Sequence, residues 1–271
     1  MICAILVGMS NNIIIHSPSD FPGLRAAGRL AAETLDFIVP FVKVGVSTEY
    51  LDDLMNDFIK SKGGISACVG YHGYPKATCI SPNHVVCHGI PSPDKYLQNG
   101  DIINIDVTVI LDGYYGDTSR MYFVGNPSVK AKRLVMNAYD TMMAGINAVK
   151  PGATTGDLGY AMEKMAAKEG FSTVRDYCGH GCGKVFHGAP NILNFGHKGS
   201  GVEIVPGMVF TVEPMVNVGT FETSVLSDDW TVVTKDKQLS AQFEHMLGVT
   251  EDGFEIFTLS PKGLDFPPYN K

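Results

Sequence analysis

Residues 102–124 read IINIDVTVILDGYYGDTSRMYFV, two alternating runs joined at Asp112-Gly113. Ile103, Ile105, Val107, Val109 and Leu111 alternate with Asn104, Asp106, Thr108 and Ile110, the period of a half-buried strand. Asp-Gly is a strong two-residue hairpin signal, because the favoured turn needs positive φ at both central positions. With the turn there, Leu111 faces Tyr114, Thr108 faces Asp117 and Asp106 faces Ser119. Asp106 and Asp117 then become diagonal neighbours on the more polar face, with Cα atoms roughly 7–8 Å apart. Two carboxylates at that separation can share one cation or bridge two. A solvated hairpin face is the plainer alternative, and a one-residue bulge would put the two acids on opposite faces.

Three more candidate ligands lie far along the chain: His180 in Gly-His-Gly-Cys-Gly, Glu213 in Thr-Val-Glu-Pro and Glu244 in Gln-Phe-Glu-His. Four carboxylates in one pocket repel one another, so they must take up protons or bind divalent cations. An internal repeat supplies an independent reason to expect that they meet. Shifted by 107 residues, Val42-Lys43-Val44-Gly45 overlays Val149-Lys150-Pro151-Gly152, and the match continues through Thr48/Thr155, Leu51/Leu158, Met55/Met162 and Gly63/Gly170. Seven of the 22 positions 42–63 are identical, a fixed-period match that signals repeated architecture. The same shift places Gly100 on Gly207 and Asp106 on Glu213. A site on a pseudo-twofold axis between two half-domains would collect both acids.

The bulk properties narrow the class. The chain has 271 residues, 45% hydrophobic and 18% charged, which fits one large globular domain or two small ones. A net charge of −7 argues against broad nucleic-acid binding. Residues 1–15 lack a basic start and are interrupted by Asn11-Asn12, so they are expected to form an N-terminal strand or arm rather than a signal peptide. No run is long enough to span a membrane, and a cytoplasmic protein is expected. The cysteines at 3, 68, 79, 87, 178 and 182 fit neither a secreted disulfide framework nor paired zinc knuckles. Cys178-x-x-x-Cys182 around His180 offers a zinc alternative, but no second pair accompanies it.

No linker divides the chain, so one domain of two halves is expected, about 17–125 and 126–271, after an arm at 1–16. Apolar spacing predicts helices near 20–41, 48–62, 128–149 and 155–169. Strands are predicted near 66–71, 77–80, 84–88, 102–111 and 114–124 in the first half. In the second they fall near 173–177, 185–188, 208–217, 229–234, 241–249 and 254–259. Two helices followed by strands, stated twice, imply an α+β fold: a curved antiparallel sheet backed by two pairs of helices.

Oxygen donors with one imidazole favour manganese or ferrous iron over a thiolate-preferring zinc site. Two such ions roughly 3.5–4 Å apart can hold a bridging hydroxide and polarise a carbonyl, which makes amide or ester hydrolysis the natural reaction. Glu213 precedes Pro214, a residue without an amide hydrogen, and so can leave the ladder to act as a general base. His180 lies between two glycines, where backbone can approach a ligand closely. His88 and His187, at apolar strand ends, read on residue grounds alone as satisfied structural histidines.

The segments Gly-Tyr-His-Gly-Tyr-Pro (70–75), Val-Cys-His-Gly-Ile-Pro (86–91), Asn-Gly-Asp-Ile-Ile-Asn-Ile-Asp-Val-Thr (99–108), Gly-His-Gly-Cys-Gly (179–183) and Phe-Thr-Val-Glu-Pro-Met (210–215) closely resemble the type I methionine aminopeptidases. The likeness runs from about residue 24 to 257. It implies the "pita-bread" fold with two divalent ions (Mn, Fe(II) or Co, less readily Zn) held by Asp106, Asp117, His180, Glu213 and Glu244. It also implies that His88 and His187 contact substrate and stabilise the tetrahedral intermediate, reversing the residue-level reading of both. By the same resemblance Cys68, Tyr71, Tyr74, Cys79, Phe186 and Trp230 line the methionine pocket, and Asn83, Val85 and Ser240 match a monovalent-cation site. The implied activity is removal of the initiator methionine from nascent polypeptides with a small second residue. Glu213 would shuttle the proton. Expected partners are nascent N-termini and, at their source, the ribosome, with no specific nucleic acid, no membrane and a monomeric chain. Only 25 residues separate His187 from Glu213, which leaves no room for the long insertion of type II enzymes. The alternatives are a proline-directed peptidase, whose usual large N-terminal domain is not expected ahead of residue 24, and a catalytically silent binding protein of the same fold.

Overall fold

A computed structural model of the chain describes residues 12–269. The expected hairpin is present at the predicted register. Strand Ile102–Leu111 pairs antiparallel with Tyr114–Phe123, with Leu111 opposite Tyr114, Thr108 opposite Asp117 and Asp106 opposite Ser119. The turn residues Asp112 and Gly113 both take positive φ, as this tight connection requires.

The repeat is equally clear in the backbone. Helix α2 (Thr48–Ser61) and helix α4 (Thr155–Lys168) are offset by the same 107 residues as the sequence match. Each opens from a cap: Ser47 Oγ accepts from Tyr50 N, and Thr154 forms a capping box with Asp157. The bridges Ser47–Tyr96 and Thr154–Glu203 correspond under that shift. So do the pairings Ile65–Ile110 and Ser172–Asn217 between short strands and their neighbours. The longer helices α1 (Phe21–Ile38) and α3 (Val129–Asn147) complete the two pairs.

A nine-stranded antiparallel sheet carries the helices. Its path runs Ile65–Ser66, Ile102–Leu111, Tyr114–Phe123, Glu244–Val249, Val209–Val212, Gly179–Gly181 and Gly188–Ile192. Cys79–Pro82 and Phe254–Ile256 attach to it off that path. Two three-stranded sheets flank it, one of them centred on Met215–Asn217. One core packs α1 and α2 on the first hairpin through Leu35, Ile38, Leu51, Met55 and Ile105. The other packs α3 and α4 on the second half through Val135, Met142, Met162, Phe210 and Val212. Close approach of α1 to the hairpin depends on Gly116, where a Cβ would lie 2.2 Å from Ala27 O.

Several element boundaries differ from expectation. Helix α1 stops at Ile38 and a 3-10 turn, Val39–Phe41, follows, because Pro40 cannot continue the helical ladder. The apolar run predicted as a strand at 185–188 is a bend; the strand begins at Gly188. Phe186 is apolar there because it faces a cavity, not a sheet neighbour. The segment predicted at 173–177 keeps only Ser172–Thr173 in strand, and Tyr177 likewise turns toward the cavity. The expected strand 208–217 breaks into Val209–Val212 and Met215–Asn217 around Glu213-Pro214. Residues 1–11 of the expected arm lie outside the described residues. The remainder docks on the second half, with Ile13 bridging Ala189 and Ile15 bridging Met208.

Candidate active site

The five expected ligands converge where the halves meet. On the central strand, Ser119 faces Asp106 on one side and Glu244 on the other, so Asp106 and Glu244 share its face. Asp117 lies two residues along the same strand and therefore on that face too. Glu213 leaves the ladder after Val212, which pairs with His245 beside Glu244. His180 is set by its backbone N–H, which donates to Thr211 Oγ1 at 3.0 Å. His180 Nε2 lies 3.5 Å from Asp117 Oδ2 and 3.4 Å from Glu213 Oε1.

Donor atoms of Asp106, Asp117 and Glu244 lie within 4.8 Å of one another, as do those of His180, Glu213 and Glu244. Two overlapping sets that share Glu244 suit two ions bridged by a carboxylate. Burial raises the carboxyl pKa of Asp106 to about 7. Burial first, and then neighbouring carboxylates, push Asp117 and Glu244 well above their ordinary values. Glu213 is also raised, by burial, against hydrogen bonds from Thr211 and Gln242 that favour its ionised form. Asp106 Oδ1 is buried with no hydrogen-bond partner. A buried acceptor of that kind is costly unless a cation or proton meets it, so the residues fit divalent metal.

Surrounding contacts orient the donors. Thr108 Oγ1 donates to Asp117 Oδ1 at 2.7 Å, and Thr211 Oγ1 donates to Glu213 Oε1 at 2.7 Å. Gln242 Nε2 donates to Glu213 Oε2 at 3.2 Å. His180 Nδ1 lies 3.2 Å from Gly181 O; with the proton on Nδ1, the Nε2 lone pair is free for an ion. Burial lowers the His180 pKa to about 4, which keeps it neutral and able to ligate. The zinc alternative finds partial geometry only: Cys182 can join Asp117 and His180, whereas Cys178 joins no such group. Burial drives the Cys182 thiol well up, away from the thiolate that zinc prefers.

His88 and His187 stand on the wall of the same cavity. His88 Nδ1 is buried without a partner, so it is not a satisfied structural histidine. Burial lowers its pKa to about 4. His187 packs 4.2 Å from the His180 ring, and its Nδ1 lies 2.9 Å from Tyr71 OH. Burial, reinforced by the neighbouring His180 and His88, holds His187 neutral. Cys68, Tyr71, Tyr74, Cys79, Phe186 and Trp230 all line the cavity, a sulfur- and aromatic-rich wall suited to a thioether. At the expected monovalent-cation site, Ser240 N donates to Asn83 O at 2.8 Å and Ser240 Oγ is buried without a partner. Val85 lies on a strand that touches the Ser240–Gln242 strand.

Sequence reasoning missed Thr211, Gln242, Asp176, Tyr177 and Asn191, of which all but Thr211 line the cavity; Cys178, weighed only as a zinc ligand, lines it too. Two of these had a readable signal: Thr211 sits two residues before Glu213 and Gln242 two residues before Glu244, as Thr108 sits two residues after Asp106.

Comparison with known proteins agrees with this geometry. The model of metallopeptidase family M24 matches residues 22–251. A methionine aminopeptidase of Rickettsia prowazekii is 61% identical over 95% of this chain and 99% of its own length. One from Escherichia coli K12 is 51% identical over 91% of this chain and 94% of its own. The crystal structure of methionine aminopeptidase from Thermotoga maritima superposes with a TM-score of 0.89 at 36% identity, covering 91% of this chain and 99% of that one. An Xaa-Pro dipeptidase from Bacillus anthracis shares the fold alone, at 24% identity and a TM-score of 0.73, and this chain covers 62% of it. The chain therefore belongs to metallopeptidase family M24, among its methionine aminopeptidases, and is a hydrolase.

Proposed function

We propose that this enzyme removes the initiator methionine from nascent polypeptides whose second residue is small, with Glu213 moving the proton. One observation supports this above others: the five-ligand cluster opens directly onto a cavity walled by Cys68, Cys79 and aromatic rings. That wall takes up the methionine side chain and leaves the scissile amide beside the cluster.

Two divalent ions, of manganese, ferrous iron or cobalt, would be held by Asp106, Asp117, His180, Glu213 and Glu244, with Glu244 shared. When bound they supply Lewis acidity that activates water and polarises the carbonyl. Glu213 is held on both oxygens, by Thr211 and Gln242, and stands at a break in the ladder. Fixed there, its carboxylate takes a proton from water and returns it to the leaving amine. Tyr71 OH lies 2.9 Å from His187 Nδ1; with the hydroxyl as donor, the His187 proton sits on Nε2. His187 then presents a neutral N–H donor toward the developing oxyanion. His88, neutral and with Nδ1 free of protein partners, contacts the substrate backbone. The closed wall around the cleft limits the residue after methionine to a small side chain. Asn83, Val85 and Ser240 would hold a monovalent cation, whose charge the unpartnered Ser240 Oγ could meet.

The setting that follows is protein maturation in the cytoplasm, close to the ribosome, by a monomer. Among the described residues, no helix is long and apolar enough to cross a membrane. Hydrolysis of Met-Ala, Met-Leu and Ala-Pro peptides by manganese- or cobalt-loaded enzyme tests the proposal. Met-Ala should be cleaved far faster than the other two. Cleavage of Ala-Pro in preference to Met-Ala, or wild-type turnover by Glu213→Gln, would refute it.

A further inference from the structure

Five carboxylates line the cavity, and four of them are the candidate ligands. The fifth is Asp176. No lysine or arginine lines the cavity among the described residues. Asp176 is thus the one carboxylate lining the cavity that is not a candidate metal ligand, and no lysine or arginine of that lining stands beside it.

Asp176 is exposed, yet it is fixed. Its Oδ2 accepts a hydrogen bond from Thr223 Oγ1 at 2.7 Å. Its neighbour Arg175 does not neutralise it. That guanidinium lies 4.3 Å from the Phe221 ring and 5.1 Å from the Phe195 ring, and 3.6 Å from Glu163. Asp228, two residues before Trp230 of the wall, is occupied in a local turn with Trp230 N, Thr231 N and Thr231 Oγ1. Asp176 is not part of the methionine-side wall and is exposed where it lines the cavity, which leaves it free to meet the chain beyond the scissile bond.

Resting on the proposed function, we propose that Asp176 is a specificity-determining residue that favours polypeptides with a basic side chain just after the small second residue. An exposed charge pair of this kind changes binding by about fivefold at low ionic strength, and salt weakens it. The test compares Met-Ala-Lys-Ser, Met-Ala-Gln-Ser and Met-Ala-Glu-Ser on the manganese-loaded enzyme. Wild type should show about a fivefold higher kcat/KM for the lysine peptide than for the glutamate peptide, carried by KM, and shrinking in 0.5 M salt. Asp176→Asn should bring that ratio close to one and Asp176→Lys should invert it. Asp229→Asn, an exposed change that does not line the cavity, should leave it as in wild type. A wild-type ratio near one, or one that survives both Asp176 substitutions, overturns the inference while leaving the proposed function intact. No turnover of any of the three peptides overturns both.

Discussion

Replacing Asp106 by asparagine is expected to stabilise the metal-free protein and to destabilise the metal-loaded one. Burial raises the Asp106 carboxyl from an ordinary 3.8 to about 7. A carboxyl with a raised pKa stabilises the fold in its protonated form. That contribution is complete below the unfolded pKa near 4 and is lost as pH rises through 7. Between an unfolded value of 3.8 and a folded value of about 7, three units separate the states, or about 4 kcal/mol at pH 8. The penalty falls to about 2 kcal/mol at pH 5, where only part of the gap lies below the ambient pH. Asparagine has nearly the same shape and no charge, so it relieves this penalty. For a chain of this size the gain at pH 8 corresponds to roughly 8 °C in Tm. Metal reverses the sign, because ions that bind only the folded state stabilise it by mass action and Asp106 is one of their ligands. The assay is thermal unfolding of chelator-treated and manganese-loaded protein between pH 5 and 8.5. The metal-free wild type should weaken as pH rises, and Asp106→Asn should weaken less. Metal-free wild-type stability that is flat over this range, or Asp106→Asn no more stable than wild type at pH 8, would refute the electrostatic account.

Tyr71→Phe removes the hydroxyl that fixes the His187 tautomer and should lower kcat about tenfold on Met-Ala peptides with little change in KM. Steady-state kinetics decides it, and an unchanged kcat would remove Tyr71 from the mechanism. Glu213→Gln should cost at least about a hundredfold in kcat and also weaken manganese binding, measured by calorimetry, because the proposed function gives this candidate ligand the role of base as well. Gly116→Ala places a Cβ against Ala27 O and should destabilise by about 1–3 kcal/mol in denaturant titration, with manganese affinity reduced because Asp117 is the next residue. Arg120→Met strands the buried Asp36 carboxylate, whose ion-pair partner it removes, and should cost about 3–5 kcal/mol by the same method.

The first half was legible because its signals are local. One Asp-Gly turn sets the whole register of residues 102–123, and with it the approach of Asp117 to Asp106. The repeat made Glu213 findable, since it carries the position of Asp106 into the other half. What escaped was chemistry that only assembly creates. Gln242 lies two residues before Glu244, with Phe243 between them turned into the core, so the strand period puts it on the ligand face, but only assembly brings it to Glu213, far away in sequence. Tyr177 and Phe186 looked like strand residues because an apolar side chain facing a cavity carries the same signal as one facing a sheet. His88 and His187 were indistinguishable from structural histidines until their partners, or the lack of them, were known. The resemblance supplied what periodicity lacked.

The duplication explains the site most fully where its symmetry fails. In the first half the strand Ile102–Leu111 runs unbroken through Asp106, and the short strand Cys79–Pro82 pairs with it there, Cys79 opposite Asp106. The equivalent strand in the second half breaks at Glu213-Pro214, because Pro214 has no N–H to give the ladder. Gln242 occupies the gap, donating from Nε2 toward Glu213 O at 3.3 Å as well as to its carboxylate. Glu213 thereby leaves the ladder that holds Asp106 and is fixed instead by two side-chain hydrogen bonds that favour its ionised form. Both positions are candidate ligands, but only the one released from the ladder has its carboxylate set by side chains alone, which suits the proton transfer proposed for it. A single proline separates the two equivalent positions.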